Sequence, residues 1–218
     1  MNFKHPEIAV VAMSGIFPGA GNTERFITNI LNKKETVIKV PDHRWAARPE
    51  IMVSQSSGTA YQDTALSDRA GLITDFQFDS SGLNIDKALL AELDPVHHLV
   101  LSAGRQLFEE CSLAKKIRKR TGVILAAIAL PTPGSSKFSR ELFLSPTPAM
   151  PTASTALGAS MLSAPGSMLS RAFGLSGGCY TLDAACASSL FAIKLACERL
   201  VTGKADAMVA GGVSRPES

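Results

Sequence analysis

Several features that would place this chain in a broad class at once are missing from its sequence. No run of about 18 apolar residues occurs, which is the length that a membrane-spanning helix needs. The four cysteines show no Cys-x-x-Cys spacing, so neither a zinc site nor a disulfide framework is indicated. The N-terminus lacks a signal-peptide core. These absences predict a cytoplasmic protein with free thiols, without a membrane span and without a bound metal.

Charge is also scarce. Charged residues make up 19% of the 218 residues, and the formal net charge is only +3. This net positive charge is too small to indicate a nucleic-acid partner. The hydrophobic content of 45% is typical of an ordered globular protein, and the chain is long enough for one domain with a substantial core.

What the sequence does contain is an alternation of apolar strands and helices. Continuous apolar runs predict buried strands, and Asn, Asp, Thr, Pro and Gly at the boundaries predict where helices begin and end. The strands are predicted over residues 8–13, 122–130, 178–183 and 207–213, and the helices over 23–31, from 95 onward, 167–173 and 189–201. This alternation predicts an α/β domain with a largely buried sheet.

Three further expectations concern packing and loops. Thr23 is predicted to cap the first helix. Residues 33–70 and 131–165 are predicted to be mostly irregular, because they are polar or rich in Pro, Ser and Thr. The apolar residues of two helices should face the core: Phe26, Ile27, Ile30 and Leu31 in the first, and Val96, Leu99, Val100, Ala103, Leu107 and Phe108 in the helix that Asp94-Pro95 opens.

Cys186 is the candidate functional residue. It follows a predicted strand and precedes the helix predicted at 189–201, so its sulfur should lie close to a helix start. Unpaired backbone N–H groups and the positive end of the helix dipole favour a thiolate at such a position. The neighbours of Cys186 are Ala and Ser, which leave room for a substrate. The position therefore makes Cys186 a candidate nucleophile, and it leaves open the alternative of a small buried cysteine without a catalytic role. Cys179 and Cys197 are expected in the core.

Other motifs are weaker. The glycine-rich segment 15–21 follows a strand and precedes a helix, but it matches neither of the common nucleotide-binding patterns, so a turn is predicted. His97 and His98 are adjacent on a helix and point about 100° apart, which does not suit a shared metal. Neither they nor His43 is predicted to be a catalytic base. The basic run 115–120 is interpreted as a solvated helix end.

The segment around the cysteine resembles the active site of β-ketoacyl synthases, the condensing enzymes of fatty acid and polyketide synthesis. Four stretches carry the resemblance in the family's order, and the closest similarity is to ketosynthase domains of polyketide and polyunsaturated-fatty-acid synthases. They are the opening strand and glycine-proline-glycine loop at 8–20, the segment ending in Arg44-Trp45, the Asp94-Pro95 helix, and Asp183-Ala184-Ala185-Cys186-Ala187-Ser188-Ser189.

The resemblance implies a thiolase-like α/β fold, of which residues 1–218 would form the N-terminal half of a duplicated α-β-α-β-α architecture with a mostly buried mixed sheet. It further implies a homodimer, paired through the strand before the nucleophile, and other domains of a multidomain synthase. The sequence departs from the common pattern at Ala184, Ala187 and 177–179, where the family usually has Thr, Ser and Gly-Pro-Ser. These small-for-small changes bear on acyl-chain preference more than on the nucleophile.

The resemblance also implies a reaction. Cys186 would accept an acyl group from the phosphopantetheine arm of an acyl carrier protein, with its backbone N–H as half of an oxyanion hole. A malonyl unit on the carrier would then lose CO₂ and attack the thioester. No cofactor is expected to bind directly. The family's two histidine motifs, His-Gly-Thr-Gly-Thr and Asn-x-x-x-Gly-His, do not occur in this sequence, so this chain alone is expected to be inactive in condensation.

Two alternatives remain open. A thiolase relative would also use a cysteine but would take CoA thioesters; the Asp183–Ser189 segment and the Asp94-Pro95 helix favour the synthase. A non-catalytic partner, similar to a chain-length factor, or a degenerate remnant would explain the missing histidines. Chain-length factors typically replace the nucleophile, and Cys186 is present.

Overall fold

The computed structural model describes residues 7–45, 47–54, 64–127, 143–144 and 164–215. The chain divides into two compact units, one formed by residues 1–13 and 78–217 and the other by residues 14–77. In chain order the helices and strands are α1 (Thr23–Leu31), β1 (Val37–Lys39), α2 (Pro49–Met52), β2 (Arg69–Gly71), α3 (Lys87–Glu92), α4 (Pro95–Glu110), α5 (Lys115–Arg118), β3 (Thr121–Ala127), α6 (Ala164–Phe173), β4 (Cys179–Leu182), α7 (Ser188–Val201) and β5 (Ala207–Val213).

The larger unit is built around a three-stranded parallel sheet in the order β4-β3-β5. All seven residues of the central strand β3 are buried. Successive side chains of a strand point to opposite faces, so the apolar run of β3 serves two cores at once. Val123 and Leu125 belong to one core cluster, and Ile124 and Ala126 belong to another. The sheet is therefore the middle layer of an α/β/α arrangement.

Helices α4 and α6 contribute to the Val123 face of the sheet. Val100 of α4 and Leu169 of α6 pack in the same cluster as Val123 and Leu125. The two helices approach closely at Gly104, where an added Cβ would overlap the side chain of Leu169. The Asp94 side chain caps α4 by accepting from the N–H of Val96 at 3.0 Å, as the sequence predicts.

Helix α7 covers the opposite face. Its buried residues Ala192 and Ala196 are four positions apart and pack against Ile124 and Ala126 of β3. Because both are small, the helix backbone can lie close to the sheet. The helix ends at Val201, and Gly203 follows with φ of 66°, the left-handed conformation that glycine adopts at a helix end. The predicted strand 207–213 is confirmed as β5.

The smaller unit is organised by an antiparallel pair in which Val37–Lys39 lies beside Arg69–Gly71. Residues 33–70 are therefore less irregular than the sequence predicts. Phe17 and Ala20 exchange backbone hydrogen bonds of 2.8 and 2.9 Å, and Gly19 between them has φ of 69°. This confirms the turn predicted for the glycine-rich segment.

The prediction of a buried strand over residues 8–13 is wrong. These residues form no strand, and Val10 and Val11 are 77% and 71% exposed. A strand needs a hydrogen-bonded neighbour, and within the described residues none of the strands pairs with this segment. An apolar run alone was therefore not sufficient to predict a strand over residues 8–13.

The prediction for the first helix is right in extent and wrong in detail. Asn22, not Thr23, is the N-cap, and its side chain accepts from the N–H of Arg25 at 2.8 Å. The apolar stripe does not face a core, because Ile27, Ile30 and Leu31 are exposed. The helix instead turns Asn29 inward, where its amide donates to the carbonyl of Gly19 at 3.0 Å.

Three other expectations need correction. Strand β4 is shorter than predicted and only partly covered, because it forms an edge of the described sheet.

Of the residues predicted to face inward on α4, Val100 is buried. His97, Leu101 and Gly104 are also buried, and they were not predicted to be. Helix α6 begins at Ala164. Most of the predicted loop 131–165, and the end of the strand predicted to 130, lie outside the described residues.

Within the described part of the chain, no helix combines the length and apolar character needed to cross a membrane.

His97 is an unusual member of the core. It is 2% exposed, and its Nδ1 lies 3.3 Å from the carbonyl oxygen of Asp94. Burial disfavours the charged imidazole and lowers the pKa of His97 from its usual 6.5, although the Asp94 carbonyl and carboxylate act in the opposite direction. The folded protein therefore holds His97 in its neutral form.

Acid should consequently destabilise the fold through His97. The unfolded chain binds the proton more tightly than the folded chain, so the free energy of unfolding should fall as the pH drops below about 6.5 and level off below the folded-state pKa. Urea unfolding followed at a series of pH values measures this. His97→Leu should show a smaller acid-induced loss than the wild type, and the exposed His43→Gln should behave like the wild type. An unchanged pH dependence in His97→Leu would contradict this assignment.

Candidate active site

Cys186 lies in the connection between β4 and α7. Residues Ala185–Ala187 form a 3-10 turn, and α7 begins directly after it at Ser188, one residue earlier than predicted. The side chain of Cys186 is exposed. Because β4 is parallel to β3, this connection leaves the sheet at the carboxyl ends of the strands, which is where open α/β sheets usually bind their ligands.

The backbone of this turn has a distinctive shape. Ala185 has φ of 50°, in the left-handed region that residues other than glycine rarely adopt. Its N–H donates to the Asp183 carboxylate at 2.8 Å. The hydroxyl of Ser188 accepts from the N–H of Ala184 at 2.8 Å and donates to the carbonyl of Ala185 at 2.6 Å. Side chains on both sides of Cys186 therefore bind the backbone that precedes it.

The other cysteines differ from Cys186 in position. Cys179 was expected in the core, but it is exposed, because β4 lies at the edge of the described sheet. Cys111 and Cys197 are partly buried, and all four thiols are free. Exposure alone therefore does not distinguish Cys186 from Cys179, whereas the position beside a helix start does.

An exposed apolar surface lies next to the candidate nucleophile. Leu190, Phe191 and Ile193 of α7 are all exposed, while Ala192 between them is buried against the sheet. Large exposed apolar patches are typical of surfaces that bind another structure.

The remaining motifs have structural roles. His98 donates through its Nε2–H to the carbonyl oxygen of Leu90 at 2.7 Å, and its ring stacks on Phe78 with centroids 4.1 Å apart. In the basic run, Arg118 donates to the carbonyls of Leu113 and Phe173, and the guanidinium of Arg120 pairs with Asp206 at 2.8 Å. Among the described residues, no group of three or more His, Cys, Asp or Glu side chains could hold a metal ion.

The sequence singles out Cys186 as the candidate nucleophile, and the two side chains that bind its turn, those of Asp183 and Ser188, were not predicted. A signal was available, because Asp and Ser near the end of a strand favour hydrogen bonds to nearby backbone groups. Asp183 lies at the end of β4 and Ser188 lies five residues later. The sequence could not show that Ser188 would be buried, since that depends on the packing of α7.

Comparisons with known proteins identify the family to which the chain belongs. Residues 5–218 match the family model described as "Beta-ketoacyl synthase, N-terminal domain". The chain belongs to this family, and its fold is the thiolase-like α/β fold of ketosynthase domains, as the resemblance implies.

Sequence identity to individual relatives is modest. The chain is 27% identical to the partially reducing polyketide synthase men1 of Menisporopsis theobromae, over 95% of this chain and 8% of that protein. It is 30% identical to the polyketide synthase ThaG of Burkholderia thailandensis, over 97% of this chain and 4% of that protein. A solved structure described as "PfaC Keto synthase-Chain length factor" is 29% identical, with a TM-score of 0.79, over 96% of this chain and 24% of that one. The chain thus spans a small part of each relative.

Cys186 should be the most reactive of the four thiols. Its exposed side chain lies in the turn at the start of α7, a position typical of reactive cysteines, whereas Cys111 and Cys197 are partly buried. Limited labelling of the folded chain, followed by peptide mass spectrometry, ranks the four sites within one sample. Cys179 provides an internal comparison, because it is also exposed but lies on a strand. Faster labelling of Cys179, Cys111 or Cys197 would count against the prediction.

Proposed function

We propose that this chain is the nucleophile-bearing, N-terminal portion of a β-ketoacyl synthase, with residues 1–218 as one domain of that enzyme. The single observation that supports this most strongly is the exposed Cys186 in the turn between β4 and α7, in a chain that matches the family model over residues 5–218. The substrates would be acyl and malonyl groups carried on the phosphopantetheine arm of an acyl carrier protein, and the class of enzyme is acyltransferase.

The first half of the reaction uses groups of this chain. The Sγ of Cys186, as thiolate, attacks the carbonyl carbon of the acyl thioester, and the backbone N–H of Cys186 donates to the oxygen that becomes negative. The bond to the pantetheine sulfur then breaks, and that sulfur leaves as a thiolate. The product is an acyl group bound to Cys186 through a new thioester.

The second half of the reaction needs groups from elsewhere. The malonyl unit loses CO₂, and the resulting carbanion attacks the acyl-Cys186 thioester, which releases the cysteine and forms the β-ketoacyl product. Two histidines assist this step in the family, and their motifs do not occur in this sequence. Of the four histidines here, His97 is buried in its neutral form and His98 is stacked on Phe78, so neither offers a substitute.

The proposed setting is a multidomain synthase. The polyketide synthases men1 and ThaG are far longer than the segments this chain matches, which supports further domains in the complete protein. We also propose a homodimer paired through β4, since β4 forms an edge of the described sheet and Tyr180 on it is exposed. A cytoplasmic location, and fatty acid or polyketide synthesis as the process, fit a nucleophile that works as a free thiol.

The two half-reactions separate in a simple assay. Incubated with an acyl thioester of a pantetheine analogue, the chain should gain the mass of one acyl group on Cys186. Cys186→Ala should gain none, and Cys179→Ala should react like the wild type. Intact-protein and peptide mass spectrometry measure this. Acylation of another residue, or equal acylation of Cys186→Ala, would overturn the proposed nucleophile.

The same assay should give no β-ketoacyl product when malonyl-carrier protein is added. Absence of the two family histidines should lower the condensation rate by several orders of magnitude, roughly 10²-fold or more for each group lost. Product formed by the purified chain, and abolished in Cys186→Ala, would show that the chain is sufficient for condensation and that this expectation is wrong.

The isolated chain should also associate. The apolar side chains exposed on α7 and the edge of β4 both promote contact with other copies. Sedimentation velocity at micromolar concentration should show species larger than a monomer, and Leu190→Lys should shift the distribution toward monomer. Lys194→Gln, an exposed polar change on the same helix, should not. A stable monomer of the wild-type chain would refute the prediction.

A further inference from the structure

The turn before Cys186 is held in a conformation that its sequence does not favour. Ala185 has φ of 50°, and for an L-residue with a Cβ the left-handed region is less favourable than the right-handed one. Glycine would adopt this φ without that cost, yet alanine stands here. Interactions outside the backbone of Ala185 must therefore stabilise the turn.

The hydroxyl of Ser188 provides such interactions. It accepts from the N–H of Ala184 and donates to the carbonyl of Ala185, so one side chain closes the turn at two points. A serine hydroxyl has only one proton to donate, and here that proton goes to the turn. Ser188 is 5% exposed, which shields these bonds from competition with water. The third bond to the turn, from the N–H of Ala185 to the Asp183 carboxylate, adds to the same conformation.

This closure determines where the nucleophile lies. Cys186 follows Ala185 directly, so the backbone angles of Ala185 set the direction of the Cys186 N–H and the path of its side chain. Both groups act on the same substrate carbonyl in the reaction proposed above. A shift of the turn would move the N–H away from the developing negative charge even while the thiol remained exposed.

We propose that Ser188 is a positioning residue of the site: its hydroxyl holds Ala185 in the left-handed conformation and thereby aims the backbone N–H of Cys186 at the substrate oxygen. The inference rests on the proposed function, because it assumes that Cys186 is the nucleophile. It goes further in assigning a role to a residue that does not touch the substrate, and in tying that role to the backbone of Ala185.

Two reactions of the same thiol test the assignment. Alkylation by iodoacetamide needs the thiolate and no oxyanion, whereas acylation by a thioester needs both. Ser188→Ala should therefore lower the acylation rate of Cys186 by about 10-fold or more, as expected for loss of a positioned donor, and should change its alkylation rate much less. Ser189→Ala, at the neighbouring exposed position, should leave both rates unchanged.

A second substitution identifies the mechanism. Ala185→Gly allows φ near 50° without the Cβ penalty, so adding it to Ser188→Ala should restore a large part of the lost acylation rate. If Ser188 acted only by packing, glycine at 185 would restore nothing, and the proposal would be overturned. Equal losses of acylation and alkylation in Ser188→Ala would overturn it as well.

The outcomes also separate this proposal from the one on which it rests. A wild-type chain that never acylates Cys186 contradicts the proposed function. A wild-type chain that acylates normally, with Ser188→Ala equally fast, contradicts only the role of Ser188. If Ser188→Ala does not fold, as judged by circular dichroism, the double variant Ala185→Gly/Ser188→Ala tests the role of Ser188 instead. Folding and acylation of the double variant would support closure of the turn, and its failure to fold would show that Ser188 holds the core instead.

Discussion

The burial of strand β3 is the constraint on which the larger unit depends. Every residue from Thr121 to Ala127 is buried, so each face of the strand must be covered and each edge must be paired. Strands β4 and β5 pair with the two edges of β3, and the helices α4, α6 and α7 cover its two faces. The connection that leaves β4 and enters α7 is thereby fixed at both ends. Cys186 lies in that connection, and its position follows from the packing of the strand beside it.

The turn at Cys186 shows a local cost that the surrounding structure offsets. Ala185 adopts a left-handed backbone conformation, and the side chains of Asp183 and Ser188 hold it there. Strained backbone of this kind persists only where its neighbours determine it strongly, and it is frequent at functional sites. Here Asp183 directly follows β4 and Ser188 begins α7, so the turn is held from the elements on both sides.

Two of the exposed apolar surfaces in the larger unit concern the proposed function. One is the segment containing Val10 and Val11, and the other is the outer side of α7 with Leu190 and Phe191. Both are what the proposed function expects, since the N-terminal portion of a duplicated fold would be covered by the rest of the synthase. The exposure is therefore consistent with the proposed function, in which further groups of the synthase would complete the site.

The sequence by itself determined the class of fold and the family, and it singled out Cys186 as the candidate nucleophile. Continuous apolar runs and the Asp94 cap placed β3, β5 and α4 correctly, because these elements are strongly specified by local chemistry. Tertiary structure decided which apolar runs are buried. Residues 8–13 have the apolar character of a strand but no paired neighbour among the described strands. On α1 the apolar side chains Ile27, Ile30 and Leu31 are exposed, and the polar Asn29 is buried in their place. It also decided the closure of the turn, since a serine hydroxyl can bind Ala184 and Ala185 only after α7 has packed on β3 and brought Ser188 out of water.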